Sequence, residues 1–285
     1  MASGRDFVGP FQLVRLIRSG QTTQVWEAIK DGQKERVALK ILHNELSKDK
    51  SEIEQLKLET LVAKTLDHDN VIKIFDFHGD FGRPFISMQL FNARNLKLEL
   101  RDNPDIIEQN LSAIITGAGE GLQHLHERGW IHCDIKPDNF LVDENANVKL
   151  IDFSIAQKAK SGFKFLRQRP KSIRGTRSYM APEQIRRRAL DFRTDIYSFG
   201  CVLFELVARR TPYSAPNPDE LLYKHLRAPV PTLQSVDGRV TVEFAALVMR
   251  MMAKDRAKRP SSVRDFLLEY SRMQLFRAGT RRKLV

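Results

Sequence analysis

Near Asn92 the apolar residues change their spacing, and this limits the chain to folds with two structurally unlike parts. Before that point, runs at 11–17, 24–29 and 36–42 are rich in β-branched and aromatic residues. Ser19-Gly20 and Asp31-Gly32 separate them. Runs bounded in this way predict strands, and the Asp-Gly pair predicts a hairpin between the second and third. A helix is predicted over 48–66 from the spacing of Ile53, Leu56, Val62, Ala63 and Leu66, with two further strands over 71–77 and 85–91. After Asn92 helical spacing dominates, over 104–128, 193–208, 241–253 and 261–273, with short strands near 140–142 and 148–151. A strand-rich part followed by a helical part predicts an α+β fold. At 285 residues the chain can bury a large core without disulfides or metals.

The charge is uneven. The net value of +12 invites a nucleic-acid or membrane partner. Yet residues 153–193 hold 12 Lys/Arg against 2 Asp/Glu, and residues 272–285 hold 5 Lys/Arg and no acid. The remainder has 30 basic and 33 acidic residues, a near-neutral body carrying two basic segments. Cys133 and Cys201 lie far apart and suggest no disulfide framework, which favours a reducing compartment. No apolar run approaches the roughly 20 residues that span a bilayer. The first ten residues lack the apolar stretch of a secretory signal. The expectation is a soluble cytoplasmic protein.

Two charges sit where the pattern is apolar. Lys40 has Val37, Ala38 and Leu39 before it and Ile41 and Leu42 after it. A buried ammonium needs an anionic partner, although a lysine at a strand end also reaches water along its own stem. On the predicted helix, Glu59 lies three or four positions from Leu56, Val62 and Ala63, so it faces the core side. Lys40 and Glu59 form a natural pair.

A polar cluster, His132-Cys133-Asp134-Ile135-Lys136-Pro137-Asp138-Asn139, falls between the apolar Trp130-Ile131 and Phe140-Leu141-Val142. Polar residues so placed are loop residues held by a rigid scaffold. Asp152 follows another apolar strand. Asp134, Asn139 and Asp152 offer oxygens suited to Mg²⁺, and Lys136 is placed to meet a phosphate. Zinc competes through His124, His126, His132 and Cys133. It is disfavoured because His124 and His126 are two apart on a helix and no second cysteine is near.

In this order and spacing, Val37-Ala38-Leu39-Lys40, Glu59, His132-Cys133-Asp134, Asn139, Asp152-Phe153-Ser154 and Ala181-Pro182-Glu183 resemble the motifs of eukaryotic-type serine/threonine protein kinases. The resemblance covers roughly residues 11–273. It implies a bilobal fold with a five-stranded, β-rich N-lobe carrying one key helix, about 11–91. A mainly helical C-lobe follows, about 92–273, with ATP between the two. Residues 1–10 would be an N-terminal tail and 274–285 a basic C-terminal tail.

By resemblance, Lys40 holds the α- and β-phosphates and Glu59 pairs with it. Asp134 is the catalytic base, assisted by Lys136. Asn139 and Asp152 hold Mg²⁺, for which Mn²⁺ is a substitute. Ile17, Gly20 and Val25 belong to the glycine-rich loop. Val25, Ala38 and Leu141 sandwich adenine, with Met88 as gatekeeper and Gln89 and Leu90 in the hinge. Glu183 pairs with Arg259, and Asp195 braces the catalytic loop. Lys136, and Gly175-Thr176 before Tyr179, resemble the serine/threonine rather than the tyrosine pattern.

The resemblance is incomplete at three places. The glycine-rich loop keeps Gly20 but has Arg18 and Thr23 at its other glycine positions, which predicts a less flexible closure. Cys133 replaces an arginine that grips an activation-segment phosphate. Phosphorylation at Ser172, the usual position, or at Ser161 upstream is therefore less necessary, and both also read as exposed loop serines. Ser154 replaces a glycine and restricts the metal-binding loop. The leading reading is an active ATP-dependent serine/threonine protein kinase. The alternatives are a pseudokinase acting as scaffold or regulator, and a small-molecule kinase, against which the full activation segment argues. Aligned in this way, the basic stretch 153–193 is the activation segment and the helix after it. It either attracts acidic sequences around the acceptor or is a solvated mobile loop, with nucleic-acid binding a weaker option.

Overall fold

The computed structural model describes residues 7–159 and 175–279. Ser161 and Ser172, with the basic residues from Lys160 to Arg174, lie outside the described residues. The chain forms two compact units, Met1–Asn92 with Ile151–Ser154, and Ala93–Leu150 with Ile155–Val285.

The first unit is an antiparallel sheet and one long helix. Its elements are β1 (Phe7–Val8), β2 (Phe11–Ser19), β3 (Thr23–Lys30), β4 (Arg36–Leu42), α1 (Lys50–Ala63), β5 (Ile74–His78) and β6 (Phe85–Gln89). The strand order is β1-β2-β3-β4-β6-β5. Six strands replace the five implied by resemblance. A tight turn at Gly9-Pro10 folds Phe7 back onto Gln12 and Val8 onto Phe11. The helix predicted over 48–66 is shorter at both ends, and its later start follows from the Asp49 carboxylate, which caps it by accepting from the Ser51 and Glu52 amides.

Register assigns the two faces of this sheet. Directly opposed residues share a face, as do residues two apart on a strand. Val25 opposes Lys40, Lys40 opposes Ile86, and Ala38 opposes Met88, so these five side chains lie on one face. Leu39, Ile41 and Phe85 fall on the other, where they form the core with Val8, Phe11 and Ala28. Alternation along β4 thus sends Lys40 to the face opposite its apolar neighbours.

The second unit begins with β7 (Arg94–Asn95), α2 (Leu96–Asp102), α3 (Pro104–Gln109) and α4 (Leu111–Glu127). The short strands β8 (Trp130–Ile131), β9 (Phe140–Val142), β10 (Val148–Leu150) and β11 (Gln157–Lys158) follow. Then come α5 (Pro182–Ile185), α6 (Phe192–Ala208), α7 (Pro218–Arg227), α8 (Val242–Met251) and α9 (Val263–Tyr270). The strands pair as β10-β9-β7 and β11-β8. Helix α6 is buried at every position from Thr194 to Ala208, which is why it is apolar around most of its circumference. Among the described residues no helix is long and apolar enough to cross a membrane.

The single helix predicted over 104–128 is two helices. Asn110 leaves helical geometry at φ −102°, ψ 9°, and its side-chain amide donates to the Ile106 carbonyl. Asparagine competes with the helix for backbone partners in this way. Helix α7 had no counterpart in the apolar pattern, although Asn217 before Pro218 is a start signal, and the Asn217 oxygen accepts from the Glu220 amide.

Candidate functional site

The first unit assembles a charged triad. Lys40 Nζ donates to Glu59 Oε2 at 2.7 Å and to Asp152 Oδ1 at 3.2 Å. The Glu59 side chain is 3% exposed and that of Asp152 is 32%. Burial pulls the Lys40 pKa down, but the Asp152 and Glu59 carboxylates outweigh it and leave the ammonium above the ordinary lysine value. Burial pushes Glu59 up to about 7, with Lys40 opposing and the Asp152 charge adding. With two acids on one ammonium, the Lys40 charge is the fixed point and Glu59 is the group that responds to pH. Asp152 takes a left-handed backbone, φ 67°, and the next residue, Phe153, is fully buried. That buried ring anchors the turn that presents the Asp152 carboxylate, offsetting the strain of a non-glycine residue there.

Val25, Ala38 and Met88 share the sheet face of Lys40, and β6 ends at Gln89, one residue before Leu90. Ile17 lies on β2, exposed. At the β2–β3 turn the Gly20 amide donates to the Thr23 carbonyl at 2.8 Å. Gly20 is not in the left-handed region, so the turn does not demand glycine's conformational range. What glycine supplies is space, since an added Cβ would have only the Thr23 oxygen within 4 Å, at 3.3 Å. His43 holds this turn from the side, its Nε2 donating to the Gly20 carbonyl at 2.9 Å.

The second unit builds a separate polar cluster around Asp134. Its Oδ1 accepts from the Thr176 amide at 2.8 Å and the Thr176 hydroxyl at 2.9 Å. Its Oδ2 accepts from Lys136 Nζ at 2.6 Å. Lys136 also reaches the Thr176 hydroxyl at 2.9 Å, which closes a triangle. Asn139 Nδ2 donates to the Asp134 carbonyl at 2.8 Å, turning its Oδ1 the other way. Gly175 makes the approach possible. Its φ is +113°, and an added Cβ would stand 3.0 Å from the Cys133 carbonyl oxygen and 3.7 Å from Asp134 Oδ1. Leu141 is on β9, opposite Lys149.

Asp195, fully buried in the first turn of α6, braces this loop. Its Oδ2 accepts from the His132 amide at 2.7 Å and its Oδ1 from the Cys133 amide at 2.9 Å. His126 Nε2 adds a contact at 2.8 Å to Oδ2. These bonds hold Cys133 in a left-handed conformation, φ 69°. Burial pushes the Cys133 thiol well above its ordinary pKa, so it acts as a packing group rather than a thiolate.

Glu183 and Arg259 form a buried bidentate pair at 2.7 and 3.0 Å. The guanidinium also donates to the Arg193 and Ala253 carbonyls and lies 4.9 Å from the centroid of the Tyr197 ring. Residue spacing alone did not single out Gln184, whose Nε2 donates to the Cys133 carbonyl at 2.8 Å and whose Oε1 accepts from the Ala181 amide. His43 was missed in the same way, and His126 was weighed only as a zinc ligand, not as a partner of Asp195. Their partners lie 23 and 69 residues away, with no local pattern to mark them.

The protein kinase domain family matches residues 11–270. The chain is 32% identical over 260 residues to serine/threonine-protein kinase PknH of Mycobacterium tuberculosis, covering 91% of this chain and 41% of that protein. It is 28% identical over 259 residues to the probable serine/threonine-protein kinase SCO3848 of Streptomyces coelicolor, covering 90% and 38%. Against the probable serine/threonine-protein kinase PknB of Bifidobacterium longum it is 28% identical over 268 residues, covering 90% and 39%. The chain spans about two-fifths of the length of these curated relatives.

Proposed function

The chain belongs to the protein kinase family, and we propose that it is a serine/threonine kinase that transfers the γ-phosphate of ATP to hydroxyls of protein substrates. The observation that carries this reading is the triangle of Asp134, Lys136 and Thr176, in which one carboxylate is held by a lysine, a hydroxyl and a backbone amide. A carboxylate so fixed can accept the proton of a substrate hydroxyl while aligning its oxygen with the γ-phosphorus. As the new P–O bond forms, the bond to the β-phosphate oxygen breaks and the proton passes to Asp134. Lys136, beside the same carboxylate, balances the charge that gathers on the phosphoryl oxygens. Lys40 supplies a permanent cation for the α- and β-phosphates, and Glu59 fixes its direction.

Asp152 and Asn139 carry oxygens of the kind a hard divalent cation takes. Asp152 offers a carboxylate oxygen and Asn139 an amide oxygen, the kind of sparse protein ligation Mg²⁺ accepts when phosphates complete its shell. Mg²⁺, or Mn²⁺ in its place, would neutralise phosphate charge. Val25, Ala38, Leu141 and Met88 are the proposed adenine contacts, with Ile17 and Gly20 over the phosphates and Gln89 and Leu90 as the hinge. Asp195, Glu183 and Arg259 are proposed to keep the loops in place. The pseudokinase reading is less favoured, because every charged role has a residue to fill it.

ATP as substrate and two free cysteines support a cytoplasmic position for this domain. The basic stretch 153–193 supports substrates with acidic sequence around the acceptor. Phosphotransfer from Mg²⁺-ATP to a generic protein substrate tests the reading, with Lys40→Met and Asp134→Asn beside the parent. Transfer is expected from the parent alone. Activity surviving in Asp134→Asn would overturn the assignment of the base, and a parent that neither transfers nor binds ATP would overturn the kinase reading.

A further inference from the structure

The second unit carries a group of arginines with no acid to answer them. Arg177, Arg186, Arg187, Arg188 and Arg227 are all exposed. Among the described residues, none of the five has a carboxylate within ion-pair distance. Three acids on or beside these elements are bound by other cations. Glu183 is bound by Arg259, Asp191 by Arg193 and Arg256, and Glu220 by Lys224. The stretch 160–174 supplies no partner either, since its sequence holds six Lys/Arg and no Asp or Glu.

These arginines are held together by the fold. Arg177 opens a 3-10 turn, Arg177–Tyr179, and Arg186 follows directly on α5. Helix α7, which ends at Arg227, packs against both that turn and α5. The chain between Arg186 and Arg188 is also set. Arg187 adopts φ 52°, and the Arg188 amide donates to the Glu183 carbonyl at 2.8 Å. A left-handed conformation at a non-glycine residue costs roughly 1 kcal/mol, so three consecutive arginines are displayed against a local cost. Arg186 keeps most of its exposure, yet its pKa is lowered, first by partial desolvation and then by the Arg188 and Arg227 charges, which outweigh the opposing Glu183 carboxylate. Mutual repulsion of this kind is relieved by a bound anion.

The same elements lead straight to Asp134. Arg177 adjoins Thr176, whose amide and hydroxyl bond the Asp134 carboxylate. Arg186 lies two residues beyond Gln184, whose side chain bonds the Cys133 carbonyl next to Asp134. Arg177 and Arg186 thus stand one and two residues from side chains that bond Asp134 and the carbonyl before it.

We propose that Arg177, Arg186, Arg188 and Arg227 form an anion-reading surface that selects protein substrates carrying a carboxylate or phosphate side chain beside the acceptor hydroxyl. This deepens the kinase reading and rests on it. Guanidinium groups suit both anions, because their planar N–H pairs match carboxylate and phosphate oxygens. A phosphate carries more charge than a carboxylate, so a substrate already phosphorylated next to its acceptor would bind the surface more strongly than its acidic counterpart.

The test uses five peptides that share one acceptor serine and differ only in flanking residues: glutamate, aspartate, phosphoserine, glutamine or lysine. Phosphorylation rates and, separately, binding of fluorescein-labelled copies by anisotropy are measured for the full chain. The same is done for Arg186→Gln/Arg188→Gln/Arg227→Gln and for the triple Arg→Lys variant. The expected result is a preference of about tenfold for acidic over glutamine peptides, given three exposed charge pairs of modest strength each. That ratio should collapse in the Gln variant, persist for the carboxylate peptides in the Lys variant, and shrink at high salt. The phosphoserine arm separates a priming phosphate from a simple acidic sequence. Equal use of glutamine and acidic peptides, or a preference for lysine peptides, would overturn the proposal while leaving the kinase reading intact. Transfer to none of the peptides would count against the kinase reading, and anisotropy would still decide whether the surface selects anions.

Discussion

Thr176 places two donors, its backbone amide and its hydroxyl, on the same oxygen of Asp134, at 2.8 and 2.9 Å. The other carboxylate oxygen is left to Lys136. This division fixes the plane of the Asp134 carboxylate, which a single contact could not do. Glycine at 175 is the condition for it, because any side chain there would press on the Cys133 carbonyl.

Removing the Thr176 hydroxyl should therefore slow transfer without disturbing nucleotide binding. In Thr176→Ala the amide contact survives, but one hydrogen bond to a charged group is lost, worth about 1.5–3 kcal/mol. We expect kcat to fall by about tenfold or more, KM for ATP to stay within about twofold, and Thr176→Ser to restore most of the rate. Steady-state kinetics with ATP and peptide varied separately checks this. A matching loss in ATP affinity would show that Thr176 supports the fold rather than the carboxylate.

The Lys40–Glu59 pair should give activity an acid limb. Glu59 stands at about 7, raised chiefly by burial, so lowering the pH protonates it while Lys40 stays charged. The neutral acid then holds Lys40 less firmly. We expect kcat/KM for ATP to fall below about pH 7 and Glu59→Gln to lower that limb and flatten it. The stability effect has the opposite sign. The folded pKa lies above the unfolded value of 4.5, so Glu59 favours folding most in acid and loses that contribution as pH rises through about 7. Denaturant titrations of parent and Glu59→Gln between pH 4.5 and 8 should show the parent losing ground to the variant as pH rises.

The buried pair of Glu183 and Arg259 makes a different prediction. Arg259→Ala strands a carboxylate that is 5% exposed, and breaking such a pair costs about 3–5 kcal/mol. Glu183→Ala strands the guanidinium, which keeps its carbonyl partners and the Tyr197 ring, so its cost should be smaller. The double variant should be more stable than the sum of the single losses. A cycle of urea unfolding midpoints measures that coupling, and strict additivity would show that the two residues act independently.

Sequence reasoning reached those features that break a local rule. Lys40 and Glu59 were legible because each puts a charge in an apolar pattern, and burying both demands that they meet. The order of motifs then carried the chain to its family. What escaped depends on contacts across long stretches of sequence. Gln184 bonds the Cys133 carbonyl from 51 residues away, and His126 reaches Asp195 from 69. Gln184 does not look unusual among its neighbours, and His126 stands out only in a histidine-rich run that suggests zinc rather than a brace for Asp195. The break at Asn110 escaped because the apolar spacing runs on through it, while the cause is one side-chain amide bonding Ile106. The sixth strand needed only Gly9-Pro10, a turn signal placed before the first apolar run.

His225 predicts how the second unit fails in acid. It is fully buried, its Nδ1 meets the Tyr197 hydroxyl at 2.9 Å, and the edge of the Tyr213 ring packs against it. Burial, with the nearby Lys254 charge, lowers its pKa to about 4 from an ordinary 6.5. The unfolded chain therefore binds a proton between pH 6.5 and 4 that the folded chain refuses. Stability contributed by neutral His225 is complete above about 6.5 and is lost as pH falls towards 4, by about 3 kcal/mol for a shift of this size. Lys254 faces the same cluster, 2.9 Å from the Tyr213 hydroxyl, and burial lowers it to about 8. It stays cationic throughout the acid window and keeps opposing a second positive charge. His225→Gln keeps a polar side chain of similar reach but cannot take up the proton. Its unfolding free energy should be lower than the parent's at pH 7, where packing is lost, and should fall less steeply between pH 6.5 and 4. Denaturant titrations at half-unit steps across that window check the slope, and parallel curves for parent and variant would place the acid sensitivity elsewhere.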